Sequence, residues 1–159
     1  MATKLKKLPL PPGLRKAMVS LTKLPADPTI ALTAGDWRTC PLNEVTGDTS
    51  IVNLSSGQFT IPGGSYLIYI NAAASSVNSH QARLYNVTSS SVESSSMPQR
   101  VAGGAFVSGT FLSTKLELGA ATTFELQQKC DEDGFFATST ASQTGAEKDV
   151  HTNIIILKL

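Results

Sequence analysis

The stretch Phe59-Thr60-Ile61-Pro62-Gly63-Gly64-Ser65-Tyr66-Leu67-Ile68-Tyr69 decides how this chain reads. Phe59 and Ile61 are two residues apart and so point to the same side of a short strand. Pro62-Gly63-Gly64 is a tight turn in sequence terms, because proline presets φ and glycine tolerates positive φ. Beyond it the alternation resumes over a longer run. Tyr66, Ile68, Ile70, Ala72 and Ala74 share one face; Leu67, Tyr69 and Ala73 share the other. A short strand, a tight turn and a long core strand follow one another here.

The same grammar extends outward. From Ile30 the chain is a series of short apolar runs broken by Gly, Ser, Asn and Asp, with candidate strands at 30–33, 50–54, 58–61, 65–74, 80–88, 104–118, 122–130 and 150–158. Gly109 interrupts the sixth of these and suggests a bend or two strands. The stretches 89–96 and 138–148 are small and polar and read as exposed loops. Residues 122–130 alternate cleanly, Phe124, Leu126 and Cys130 against Thr123, Glu125, Gln127 and Lys129, as a strand with one wet face does. The runs 66–74 and 153–157 are instead apolar on both faces. A two-layer sandwich covers only one face of each strand, so these two need a second cover, and a subunit interface supplies one. At 159 residues, 41% apolar and 16% charged, the chain has material for one well-filled domain.

Residues 1–29 differ in kind. Lys4, Lys6, Lys7, Arg15, Lys16 and Lys23 stand against the single acid Asp27, so this segment carries +5 and the rest −4 of a total of +1. Prolines 9, 11, 12, 25 and 28 favour extended backbone, while Leu14, Met18 and Leu21 also fit one stripe of a short helix. Leu5, Leu8, Leu10 and Leu14 are more apolar content than a solvated linker needs. The segment reads as a basic, proline- and leucine-rich arm that docks on another subunit, with 30–159 as the folded domain.

Several stretches resemble a known family. Gly57 to Tyr69 is similar to the Phe-x-(Val/Ile)-Pro-x-Gly-x-Tyr segment of the trimeric jelly rolls of the complement globular-head and tumour-necrosis-factor type. Arg83-Leu84-Tyr85-Asn86, Thr122-Thr123-Phe124-Glu125-Leu126-Gln127 and the Ile-rich close of the chain resemble the versions found in bacteriophage virion proteins, as does Trp37 followed by Leu42-Asn43-Glu44. The resemblance spans residues 36–159. It implies an all-β, antiparallel jelly-roll sandwich with an extended N-terminal arm, assembled as a homotrimer. Phe59, Tyr66, Ile68, Tyr69, Tyr85, Phe111, Phe124, Ile155 and Leu157 are then expected in the core or the trimer interface. No collagen-like stalk and no apolar signal region are visible, which argues against a secreted ligand.

Catalytic and ligand chemistry is sparse. The two histidines, His80 and His151, lie in separate strands without triad or HExxH spacing. Facing His/Glu clusters of the cupin type are missing. Cys40 and Cys130 read as buried thiols, although a bridge between them remains compatible with the sequence. Asp131-Glu132-Asp133-Gly134 lacks the ligand spacing of an EF-hand loop and reads as a solvated turn. The sequons at Asn53 and Asn86 carry no weight without an export signal, and no phosphate-binding glycine loop occurs. The basic arm has no aromatic residues to stack on bases, so no nucleic-acid partner is expected; no run is long enough to span a bilayer.

The expectation is therefore a non-enzymatic virion structural protein without cofactors, made in the host cytoplasm and placed on the capsid surface as a trimeric decoration or cement protein. Lys4, Leu5, Lys6, Lys7, Leu8, Leu10, Leu14, Arg15 and Lys16 would anchor it to the major capsid protein or another virion subunit. The alternative is the receptor-binding head of a tail fibre or spike. In that case Asp131, Glu132, Asp133, Phe135 and Phe136 would form a surface for a host glycan or protein.

Overall fold

The computed structural model describes residues 13–24, 27–100, 107–137 and 149–159. These residues build two antiparallel sheets facing each other across one core. The strands are β1 Arg15–Lys23, β2 Ile30–Leu32, β3 Arg38–Thr39, β4 Glu44–Gly47, β5 Asn53–Ser55, β6 Gln58–Ile61 and β7 Gly64–Ser75. They continue with β8 Ser79–Asn86, β9 Ser91–Ser95, β10 Gln99–Arg100, β11 Val107–Leu118, β12 Thr122–Cys130, β13 Gly134–Ala137 and β14 Asp149–Lys158. Among the described residues one 3₁₀ turn, Thr49–Ile51, is capped by the Asp48 carboxylate, which accepts from the Ser50 N–H. The first sheet runs β2-β13-β7-β14-β1-β4, with β11 on β7; the second runs β10-β8-β12-β6-β5, with β3 on β12 and β9 on β8. The fold class is an all-β, antiparallel jelly roll.

The segment around Pro62 lies where its residue types direct it. Ser56 and Gly57 both have positive φ (50° and 77°), and Ser55 pairs with Gln58, so β5 and β6 form a two-residue hairpin of the primed type. After β6 the chain crosses from the second sheet to the first at Pro62-Gly63. The Tyr66 hydroxyl donates to the Pro62 carbonyl at 2.9 Å and ties that crossing to β7. Phe59 and Phe124, opposite each other on β6 and β12, stack with ring centroids 5.8 Å apart. With Tyr66, Ile68, Ile70, Leu84, Leu126, Ile154 and Ile156 they form the fully enclosed centre of the sandwich.

Beyond the candidate strand 50–54, which is a 3₁₀ turn followed by β5, three sequence expectations need correction. The arm does not extend to residue 29. Arg15 to Lys23 is strand β1, inserted between β14 and β4, with Ala17, Val19 and Leu21 completely buried. The i, i+4 stripe Leu14–Met18 and the period-2 set Ala17–Val19–Leu21 are both present in the sequence, and pairing with β14 selects the strand. Lys4, Leu5, Lys6, Lys7, Leu8 and Leu10 lie outside the described residues. Secondly, 91–95 within the serine-rich stretch is strand β9, paired with β8. Thirdly, Gly109 does not divide β11; it pairs with Ala73 in unbroken register from Val107 to Leu118.

Candidate functional site

The register of the first sheet lays out an outward face row by row. Phe111 lies opposite Asn71, Asn71 opposite Asn153, and Asn153 opposite Ser20. The next row is Ser113, Tyr69, Ile155 and Met18; the third is Lys115, Leu67, Leu157 and Lys16. The alternate residues of the same strands, Leu112, Ile70, Ile154 and Val19 among them, fill the core. Across these four strands the two upper rows hold no charged side chain, while the first continues to Glu44 on β4 and the third ends in a lysine on each side. A charge-depleted, aromatic centre with a charged margin is the composition of a protein–protein contact. Phe111 is 71% exposed and Tyr69 45% exposed, both large apolar side chains on one open face. Between them Asn71, Asn153 and Ile155 line a groove of about 560 Å³.

The site residues expected from sequence therefore separate. Phe59, Tyr66, Ile68 and Phe124 are core. Tyr69, Phe111, Ile155 and Leu157 share the outward face just described. Tyr85 is half-buried on the outside of the second sheet, facing Glu125 across β8 and β12. Met18 belongs to the apolar face but was read from sequence only as one position on a possible helical stripe. Its place follows from pairing with Ile155.

Arg15 and Lys16 are exposed positions of β1. Arg15 Nε donates to Asp48 Oδ2 at 2.6 Å, and its guanidinium also reaches the Ser50 hydroxyl. The Arg15 guanidinium, and after it the Ser50 hydroxyl and N–H that also donate to Asp48, hold the Asp48 carboxyl below the usual carboxylate range. Arg15 thus pins the capped turn to the start of β1, whereas the sequence assigned it to an anchor. Leu14 is half-buried immediately ahead of the strand.

The surface proposed for recognition around Asp131 is also corrected. Phe136 is buried in the core and Phe135 is half-buried in β13, paired with Ala31 and Ser75, so neither ring stands on a loop. Asp131 Oδ1 accepts from the Ser79 N–H at 2.6 Å, Asp133 Oδ1 from the Ala34 N–H at 2.7 Å, and Glu132 Oε1 from the Asn78 amide at 3.5 Å. The three acids diverge to clasp neighbouring segments. Among the described residues no group of three His, Cys, Asp or Glu side chains converges on a metal position. Cys40 and Cys130 are free and buried, and burial pushes their thiols up to about 12 and about 11.

No protein-family profile matches the chain, and no curated protein sequence matches it. Solved structures do. The Eiger TNF from S. frugiperda superposes with a TM-score of 0.62 at 11% identity, over 92% of this chain and 92% of that one. The globular domain of zebrafish complement 1qA gives 0.56 at 12% identity, over 91% and 96%. Murine APRIL gives 0.55 at 8% identity, over 92% and 99%. At such identities the likeness concerns the backbone alone: this chain has the jelly-roll fold of TNF and C1q globular-head domains.

Proposed function

We propose that the chain is a homotrimeric structural module, without enzymatic activity, that decorates the outside of a virion shell and is held there by its basic N-terminal residues. The carrying observation is the outward face of the first sheet. Removing Phe111, Tyr69, Ile155, Met18, Leu67 and Leu157 from water at about 25 cal/mol per Å² favours association of copies through that face. The fold likeness supports a threefold arrangement. The virion assignment is supported by the resemblance of the 83–86 and 122–127 segments and by the charge of the N-terminal residues. Threefold presentation would let three weak tethers act as one strong one.

Because β1 is part of the sheet, the informative truncation removes residues 1–12 and no more. Light scattering should find three copies for the full chain and for the truncated one. Only the full chain should co-sediment with capsid shells. A monomeric full chain, or a truncated chain that still binds shells, contradicts the proposal.

A further inference from the structure

The second sheet carries a different kind of surface on its outside. Gln58 Nε2 donates to Glu125 Oε2 at 3.1 Å, Gln127 Nε2 donates to Glu125 Oε1, and Arg83 Nε donates to Gln127 Oε1 at 2.6 Å. The Arg83 guanidinium ends this ladder over the indole of Trp37, 4.1 Å from the ring centroid and 5.4 Å from that of Tyr85. Trp37 is half-buried and forms one wall of an open pocket of about 780 Å³, whose polar lining comes from Ser79, Gln81, Lys129 and Asp131.

The walls of this pocket are held in place. The Ala34 N–H is bound by Asp133, the Gly35 N–H donates to the Cys130 carbonyl at 3.1 Å, and the Ser79 N–H is bound by Asp131. Gln81 spends an amide N–H on the Ser96 carbonyl at 2.9 Å, leaving its amide oxygen to accept. One face of the Trp37 indole is taken by the Arg83 guanidinium, and the part of the ring that lines the pocket stands beside an ammonium donor, a carboxylate acceptor, an amide acceptor and a hydroxyl that does both. Lys129 and Asp131 cancel in charge, which disfavours an anionic ligand such as phosphate. A flat apolar plane beside mixed donors and acceptors in a preorganised concavity fits a pyranose ring, with its C–H face on the indole and its hydroxyls on the rim.

We infer that this pocket is a carbohydrate-binding site for a neutral hexose or N-acetylhexosamine unit of a glycan, with Trp37 as the stacking platform. The site is on the opposite sheet from the apolar face, so it stays open whether or not copies associate. It is independent of the capsid proposal.

Trp37 is the single tryptophan of the chain, so intrinsic fluorescence reports on the pocket directly. The full chain is titrated with maltoheptaose, cellohexaose, mannohexaose, galactohexaose and chitohexaose, and separately with inorganic phosphate. Binding is repeated by calorimetry for the variants. At least one neutral oligosaccharide is expected to give a saturable emission change that phosphate neither produces nor competes away. Trp37→Ala should weaken binding about tenfold or more, a free-energy difference of about 1.4 kcal/mol. Lys129→Ala, an exposed change that leaves the fold alone, and Asp131→Asn, which keeps the acceptor for Ser79, should each weaken it several-fold at unchanged circular dichroism. The inference is overturned by a panel that does not bind at millimolar concentration, by binding that survives both Trp37→Ala and Lys129→Ala, or by saturation with phosphate.

Discussion

Tyr69 of β7 lies directly across from Ile155 of β14, and both side chains point away from the core, the tyrosine 45% exposed. Two neighbouring apolar residues on the outside of a central strand pair stabilise nothing within one copy that water could not disturb. In the assembled state they should be the middle of the contact. Tyr69→Asp combined with Phe111→Asp would place two uncompensated carboxylates there. The expected outcome is a monomer by sedimentation equilibrium with the circular dichroism of the parent. A trimer that survives both changes would place the contact elsewhere.

Gly134 opens β13 at a point where the backbone passes very close to β7. A β-carbon built there would lie 2.4 Å from the Ser75 carbonyl oxygen and 2.5 Å from Val77 Cγ1. The carbonyl cannot swing away without breaking the sheet, so Gly134→Ala should destabilise the fold by about 1–3 kcal/mol. Gly119, whose β-carbon would meet nothing within 4 Å, supplies the control, and Gly119→Ala should leave the denaturation midpoint nearly unchanged.

His80 is buried, with Nε2 2.7 Å from Gln128 Oε1 and Nδ1 lacking a partner among the described residues. Burial holds its pKa below the ordinary value of 6.5, and the same holds for His151. The unfolded chain therefore binds protons at a higher pH than the folded one does. Stability should be flat above the unfolded pKa and fall as pH drops below it toward the folded values. Urea midpoints measured between neutral pH and pH 5 should decline. His80→Gln should flatten part of that decline, with His151 supplying the rest. A profile unchanged by His80→Gln would show that the histidine titrates alike in both states.

Cys40 is fully enclosed next to Gln128 and Thr152, and Cys130 is nearly so, its Sγ 3.9 Å from the Leu32 carbonyl. With both thiols held far from ionisation, neither should react with a disulfide reagent in the native state. Both should react once denaturant unfolds the chain, at a rate set by unfolding. Fast native modification of either would contradict the packing of the core.

Local chemistry was enough for the strands that alternate and the turns that need special backbone. The tight turn at Pro62-Gly63-Gly64 and the long strands β7, β12 and β14 are legible, because period-2 patterning and glycine or proline geometry act over a few residues; that the turn carries the chain from one sheet to the other is decided by the fold. Strand β1 was not, since Leu14, Met18 and Leu21 satisfy a helical stripe as readily as Ala17, Val19 and Leu21 satisfy a strand. The choice depends on the partner β14, more than a hundred residues away. Strands β9 and β13 were hidden for the same reason: Ser91 to Ser95 and Gly134 to Ala137 have little pattern of their own and extend because β8, β2 and β7 offer hydrogen-bonding edges.

The surfaces divide in the same way. That β7 and β14 are apolar on both faces is written in their residues, and so is the need for a second cover. Which of those residues meet is not: Phe111, Tyr69, Ile155 and Met18 come from four strands and become one face only through register. Trp37 is the sharper case. Along the chain it is one aromatic residue before a short strand, whereas Phe135-Phe136 stands out as a pair. Folding buries Phe136, half-buries Phe135, and sets Trp37 beneath Arg83 at the wall of an open pocket. Sequence by itself determined the alternation, the turns and the amount of apolar surface, which are properties of neighbouring residues. Tertiary structure alone decided which rings are covered and which charges meet, because burial and pairing depend on the strand that arrives from elsewhere in the chain.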